Sequence, residues 1–399
     1  MTGARRVGRD DAFSRCRKPR AGVTLIEMLF AVTILFILMT IIFSIIQITS
    51  QAWKKTSQTT TSMQQARVAF ERMTRNLSQA TLNTYYSYYY ASGATSPSYY
   101  MRQSELQFIS GNGPIGTSSF ISGSVGNVAQ ITHALFFQAP LGMVNSSDAA
   151  NYGQLSNLLN ACGYFVTYSL DPLRPAFLNS MSNKPQNEYR YRLMEMLQPS
   201  ENLGVYTQGA IPAAGGSVPT WISNSIPDLT QSETSTGTIT VRPLANNIVA
   251  LIVMPEQYSS STTNGQVNTA PIYSTTTSTY NYDSAYNASV VTTGTQTLTG
   301  NQLPPLVKII MVSIDEASAI KLAALNPGAG SSSPPNLGQS SLFTDPTKLY
   351  TSGGVKGDLD KFEDVLNAVP GNIAGNAIKL NYYVFQTDVL IRGAKWTNS

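Results

Sequence analysis

Charge is scarce in this sequence. Only 12% of its 399 residues are Asp, Glu, Lys or Arg, about half the share of an ordinary soluble domain. Ser, Thr, Asn, Gln and Tyr take their place. So few cations leave no room for an extended basic face, which excludes a nucleic-acid binder. The 21 tyrosines could stack on bases, but no basic groove accompanies them. Histidine is nearly missing as well: His133, in the apolar run "AQITHALFFQ", is the only one. The two cysteines are Cys16 and Cys162. If the basic N-terminal segment is removed, Cys162 stands alone, so a disulfide scaffold is excluded and a buried, inert thiol is expected. One His and one Cys cannot make a His-based zinc site or a Cys–His nucleophile pair. No phosphate-cradling glycine loop, HExxH, GxSxG or CxxC pair is present. Neither a cofactor nor an enzymatic activity is expected.

The charge that does exist is unevenly placed. Residues 1–22 hold Arg5, Arg6, Arg9, Arg15, Arg17, Lys18 and Arg20 against Asp10 and Asp11, so this segment carries net +5 of an overall +4, and the remainder is −1. Residues 28–46 follow, nineteen positions with only Thr33, Thr40 and Ser44 polar. About 20 residues at 1.5 Å rise cross a ~30 Å hydrocarbon core. The basic side stays cytoplasmic, which puts the C-terminal side outside the cytoplasm. An ordinary secretory signal does not fit, because the apolar run is too long and no small-residue cleavage pattern follows.

Glu27 lies just inside this apolar helix. A charge within a membrane helix costs roughly 2.5–3.5 kcal/mol on insertion scales. Near the helix end it can snorkel. Alternatively, a cation meets it at the same depth. A cut after Gly22 would create such a cation, the α-amine of Val23, whose ordinary pKa near 7.7–8.0 leaves it largely protonated at neutral pH. That amine lies one helical turn from its own Glu27, and it could pair there or with Glu27 of a neighbouring subunit.

The stretch "RAGVTLIEMLFAV", residues 20–32, resembles the class III leader of type IV prepilins and pseudopilins. The resemblance covers about the first fifty residues. It implies that a prepilin peptidase cuts after Gly22 and methylates Val23, which stands where the family usually has Phe or Met. It also implies that Glu27 guides assembly with other pilin-like subunits, after a stage anchored in the inner membrane. Further along, "FERMTRNLSQATLNTYYSYY", "SELQF", "GYFVTYSLDPLRPAF", "YRYRLMEMLQPSENLGVY" and "FQTDVLIRGAKW" resemble the Verru_Chthon cassette protein C family, prepilin-type proteins found in sets with other pilin-like proteins. The size and the long helix are also similar to the large minor pseudopilin of type II secretion tips.

Past the apolar run the sequence stays helical in pattern. Met63, Ala66, Phe70, Met73, Leu77 and Ala80 recur at spacings of three and four, one apolar stripe, with Arg67, Glu71, Arg72 and Arg75 off it. No Pro or Gly interrupts residues 23–83, a span of about 90 Å as helix. Such a stripe needs a sheet or domain to cover it. Strands are expected at 105–110, 131–138, 164–170, 189–197, 248–254, 306–314 and 380–391, from β-branched and aromatic runs bounded by Gly, Pro, Asn and Ser. Helices are expected at 315–325, capped by Asp315, and at 359–368. In "YRYRLMEML" Arg190 and Arg192 alternate with Tyr189, Tyr191 and Leu193, which reads as a half-exposed strand. Residues 85–100, "YYSYYYASGATSPSYY", and 257–300 read as polar loops, the latter a Ser/Thr-rich insertion or extended ribbon. Residues 329–339 read as a linker.

The fold class expected is therefore α+β: a long N-terminal helix, membrane half plus amphipathic half, packed on an antiparallel β-sheet domain. The organisation expected is a leader at 1–22, a transmembrane or assembly helix at 23–48, its amphipathic continuation at 49–83, and a β-rich domain at 84–399. The acidic cluster Asp358, Asp360, Glu363 and Asp364 has the ligand type for calcium but not EF-hand spacing. It also reads as a capped helix start with a solvated face, and no metal is expected. The function expected is a structural minor pilin or pseudopilin, with a tip adhesin or cargo-binding module using the Tyr- and Ser/Thr-rich loops as the alternative.

Overall fold

The computed structural model describes residues 22, 24–115, 119–121, 129–145, 148–172, 174–182, 188–207, 217–225, 240–263, 266–272, 278–286, 291–292, 295–296, 298–325, 333–339, 341–370 and 377–396. The basic residues of the leader, Cys16 and Val23 lie outside them. The chain divides into two units, residues 1–56 and 57–399. The first contributes the opening turns of α1 (Leu25–Ser78), an uninterrupted α-helix of 54 residues. Every residue from 24 to 58 is exposed.

In the second unit the later turns of α1 bury Ala66, Ala69, Phe70, Met73, Asn76 and Leu77. This follows the expected stripe, with Ala69 added and two further changes. Met63 is 41% exposed, and Asn76, a polar residue, is inside. The helix ends at Ser78, where Gln79 and Ala80 close tighter i→i+3 bonds onto Asn76 and Leu77.

The stripe lies in the main core, shared with a six-stranded antiparallel sheet and a four-stranded one. Strands β1 (Tyr85–Tyr89) and β2 (Tyr99–Gln103) form a separate hairpin. The six-stranded sheet runs β10-β3-β4-β5-β6-β7, with β3 Ile109–Gly111, β4 Gln130–Pro140, β5 Leu159–Ser169, β6 Arg190–Gln198, β7 Val241–Asn246 and β10 Tyr282–Asp283. The four-stranded sheet runs β14-β13-β8-β9, with β8 Ile248–Thr263, β9 Gln266–Pro271, β13 Leu306–Ile314 and β14 Tyr382–Leu390. Strands β11 (Val291–Thr292) and β12 (Thr295–Gln296) pair with each other. Helix α2 (Glu316–Ala324) is capped as expected, Asp315 accepting from Ser318 N, and α3 spans Asp358–Asn367. This is an α+β, pilin-like organisation: a long N-terminal helix followed by antiparallel sheets.

The two-residue period of β4, β5 and β6 sorts their side chains to opposite faces. Leu135, Phe137, Cys162, Tyr164, Val166, Tyr191 and Leu193 face the main core. Phe136, Phe165, Met194 and Met196 face a second, smaller core with Phe120, Trp221 and Ile222. Gly163 sits opposite Phe136, and an added Cβ would lie 2.3 Å from that ring, so the aromatic fills what the glycine leaves. Strand β6 is therefore covered on both faces. The half-exposed reading of "YRYRLMEML" is corrected: Arg192 is 6% exposed and donates to Ser169 O at 2.9 Å.

Three further expectations change. Residues 85–103 are a β-hairpin rather than a polar loop, clamped by cross-strand ring pairs Tyr88–Tyr100 at 5.0 Å and Tyr89–Tyr99 at 4.6 Å. Strand β3 is shorter than 105–110 because side chains take the preceding amides: Gln107 N donates to Gln138 Oε1 and Phe108 N to Ser284 Oγ, each at 2.9 Å. The described part of 329–339 is packed, not a linker. Leu337 is buried, Pro335 O accepts from Tyr191 Oη at 2.8 Å and Gln339 Nε2 donates to Val249 O at 3.2 Å. In 257–300, β8 and β9 form a ribbon, while Tyr280 and Tyr282 are fully buried.

Side chains tie the two sheets together. Up to Pro255, β8 pairs with β13 alone, so its other edge needs partners. A register shift between Gln130 and Ala134 in β4 aims Thr132 and His133 at that edge. Thr132 Oγ1 accepts from Leu251 N at 2.9 Å and His133 Nδ1 from Val253 N at 3.0 Å. His133 Nε2, 2.9 Å from Phe343 O, is then the donor. A neutral ring satisfies both bonds, and burial pushes its pKa down to about 4. Phe343 is held at φ +59°, a costly conformation for a bulky residue. The His133 bond, Asp358 Oδ2 accepting from Phe343 N at 3.2 Å, and ring contact with Phe362 at 5.5 Å keep it there.

Candidate functional site

The N-terminal site is built by the start of α1. Gly22, at the expected cleavage point, is exposed, and a Cβ there would meet nothing within 4 Å. Thr24 precedes the helix. Its Oγ1 accepts from Glu27 N at 3.3 Å, and its carbonyl accepts from Glu27 N at 3.1 Å and Met28 N at 3.2 Å. Thr24-Leu25-Ile26-Glu27 has the T-x-x-E spacing of a capping box, and the backbone half of that box is formed. Thr24 is a residue that a reading focused on Glu27 passes over, although the spacing was there to find it. Glu27 falls in the first turn, where the helix macrodipole favours negative charge.

Around Glu27 the helix is apolar and uncovered. Leu25, Ile26, Met28, Leu29 and Phe30 are each at least 59% exposed, and α1 is long and apolar enough to cross a membrane. The hydroxyls in the run are satisfied locally: Thr33 Oγ1 donates to Phe30 O and Thr40 Oγ1 to Phe36 O, each at 2.8 Å. Such back-bonding lets hydroxyls sit in hydrocarbon without an outside partner. The Glu27 carboxylate differs. Among the described residues no cation and no donor meets it.

The other candidates are dispersed. Asp358 is buried beside Lys361 (3.1 Å) and Phe343 N. Asp360 accepts from Thr351 Oγ1, Glu363 from Tyr382 Oη at 3.0 Å, and Asp364 pairs with Lys356. Each acid thus has its own partner. Among the described residues no group of three or more His, Cys, Asp or Glu is placed to hold a metal ion. Cys162 is free and buried, and burial pushes its thiol pKa far up, which makes it a poor nucleophile.

The prokaryotic N-terminal methylation motif matches this chain over residues 17–43. Neither the curated proteins nor the solved structures compared with it give a match. The motif supports a type IV pilin or pseudopilin-like protein and points to a structural protein rather than an enzyme. Its class III leader implies processing by prepilin peptidase and assembly at the membrane with other pilins, and with the apolar helix it fits an inner-membrane anchor.

Proposed function

We propose that this chain is a minor pilin or pseudopilin of a type IV pilus-like or type II secretion-like filament, or of its tip. Prepilin peptidase cuts the leader, residues 1–22, after Gly22 and methylates Val23. The segment 23–48 anchors the subunit in the inner membrane with residues 84–399 on the far side. The same segment then packs among other pilin-like helices, with 49–83 as its amphipathic continuation and 257–300 as an insertion in the outer domain. The mechanism is a transfer of one apolar helix from lipid to a protein bundle. The α-amine of Val23 in a neighbouring subunit pairs with Glu27 and offsets a charge penalty that lipid alone leaves in place.

The observation that carries this is Glu27 itself. It is a carboxylate in the first turn of an uncovered apolar helix, with no counter-ion among the described residues. The resemblance of the body to the Verru_Chthon cassette protein C family supports a place among a set of pilin-like partners. The test is Glu27→Ala in cells that have the peptidase. Mass spectrometry of the N-terminus shows normal cleavage, and the variant is missing from sheared filaments. Incorporation at the wild-type level overturns the role.

A second role, binding at a filament tip, is favoured by the hairpin. Tyr86, Tyr88 and Tyr100 are 65%, 53% and 65% exposed, and tyrosine suits interfaces. Replacing all three with Ser abolishes adhesion or cargo binding and leaves assembly intact if this role holds; unchanged binding removes it. Deleting 257–300 is a poor test, because it takes buried Tyr280 and Tyr282 out of the core.

A further inference from the structure

A second polar site lies inside the larger unit, away from the N-terminal motif. The last turns of α1, residues 140–143, Ser156, Asn157 and Arg242 line an open cleft of about 590 Å³. Three arginines line it, Arg72, Arg75 and Arg242, and no Asp or Glu is among its lining residues.

Glu195 explains how two of those cations are held. Its side chain is fully buried. Arg72 Nε donates to its Oε1 at 2.8 Å, and Arg242 Nε and Nη2 donate to its Oε2 at 3.3 and 3.2 Å. Tyr164 Oη adds a bond at 3.1 Å and itself accepts from Asn76 Nδ2 at 2.8 Å. The carboxylate therefore fixes two guanidiniums from behind. Both remain part-exposed, at 35% and 44%, and both residues line the cleft. Among the described residues no carboxylate pairs with Arg75, which is exposed. Three guanidiniums against one carboxylate leave a local charge of +2. Gln79, Ser156 and Asn157 add neutral hydrogen-bonding groups to the rim.

We propose that this cleft binds a multiply charged oxyanion, the chemistry shared by a small di- or tricarboxylate and by inorganic phosphate. Guanidinium is a planar fork that matches such oxygens two at a time. Here Glu195 already holds two of the forks in position, so little side-chain freedom remains to be lost on binding. Electrostatics alone does not give this, because a surface arginine without a fixed geometry contributes little. The inference does not depend on filament assembly, and it stands or fails separately from the role of Glu27.

The test is isothermal titration of the full-length chain in neutral detergent at low salt, with citrate and with phosphate. Saturable binding that weakens as sodium chloride is added is expected for at least one of them. Arg75→Ala weakens it about tenfold or more, as loss of a charged hydrogen-bond partner does, and Arg75→Lys recovers part of the loss. Arg67→Ala, an exposed arginine paired with Glu71 and outside the cleft, leaves binding unchanged. Citrate alone, phosphate alone or both identify the oxyanion and uphold the site. No saturable binding of either, equal isotherms for wild type and Arg75→Ala, or equal losses in Arg67→Ala and Arg75→Ala overturn it.

Discussion

Two glutamates mark the two units, and they are treated in opposite ways. Glu195 is fully buried, yet Arg72, Arg242 and Tyr164 all donate to it. Glu27 is exposed on an apolar helix, and nothing among the described residues donates to its side chain. A carboxylate in apolar surroundings is tolerated only with a cation and hydrogen bonds close by. Residues 57–399 provide these from within the chain. The described residues of 1–56 provide none for Glu27. The same contrast runs along α1, where the first unit buries nothing and the second covers a stripe that includes Asn76.

The sharpest way to break this comparison is to remove each carboxylate. Glu195→Ala leaves two guanidiniums and a buried tyrosine without their acceptor. It should destabilise the larger unit by about 3 kcal/mol, at the lower end for a broken buried pair because the arginines are part-exposed. Glu27→Ala should shift the same denaturant transition by less than about 0.5 kcal/mol. Comparable shifts for the two variants would erase the distinction between the units.

Acid should act on the larger unit through two buried groups of opposite sign. Burial lowers His133 to about 4 from 6.5, so its contribution is complete above pH 6.5 and is lost as the pH falls towards 4. Burial raises Asp283 from 3.8 to about 6, so its contribution is complete below pH 3.8 and is lost as the pH rises through 6. Each window amounts to an order of 3 kcal/mol at 1.36 kcal/mol per pH unit. In the wild type the two nearly cancel between pH 4 and 6. Unfolding curves of His133→Gln should show stability rising as the pH falls through that range, and those of Asp283→Asn should show it falling. Parallel slopes in the two variants would contradict the assignment.

The smallest effect belongs to the helix start. Thr24→Ala removes the Oγ1 acceptor of Glu27 N and should cost about 1 kcal/mol of local helix stability. Faster hydrogen exchange at the Glu27 and Met28 amides in detergent, with no change in the unfolding of the larger unit, is the expected result.

What could be read in advance was mostly local. The apolar run, the stripe on α1, strand β13 over 306–314 and the Asp315 cap each depend on neighbours within about four residues or on strict alternation. The misread stretches share a different property. Arg72 reads only as a residue off the apolar stripe, because its partner, Glu195, is 123 residues away. Strand β6 looked half-exposed because the second core, with Trp221 and Ile222, comes from a later part of the chain. The tyrosine-rich run after α1 carries Gly, Ser and Pro like a loop, yet its rings pair across a hairpin. Thr24 and Glu27 were in plain view, and only the capping bond between them was passed over.

The sequence by itself determined the basic character of residues 1–22 and the apolar helix carrying Glu27, because hydropathy and short spacing act through the backbone of a single turn. It also determined the scarcity of histidine and cysteine. Only the tertiary structure decided that Glu195 gathers arginines from α1 and β7 beside an open cleft, and that the lone histidine serves as a strut between two sheets. Those outcomes depend on residues more than a hundred positions apart meeting at hydrogen-bond distance, which no local pattern encodes.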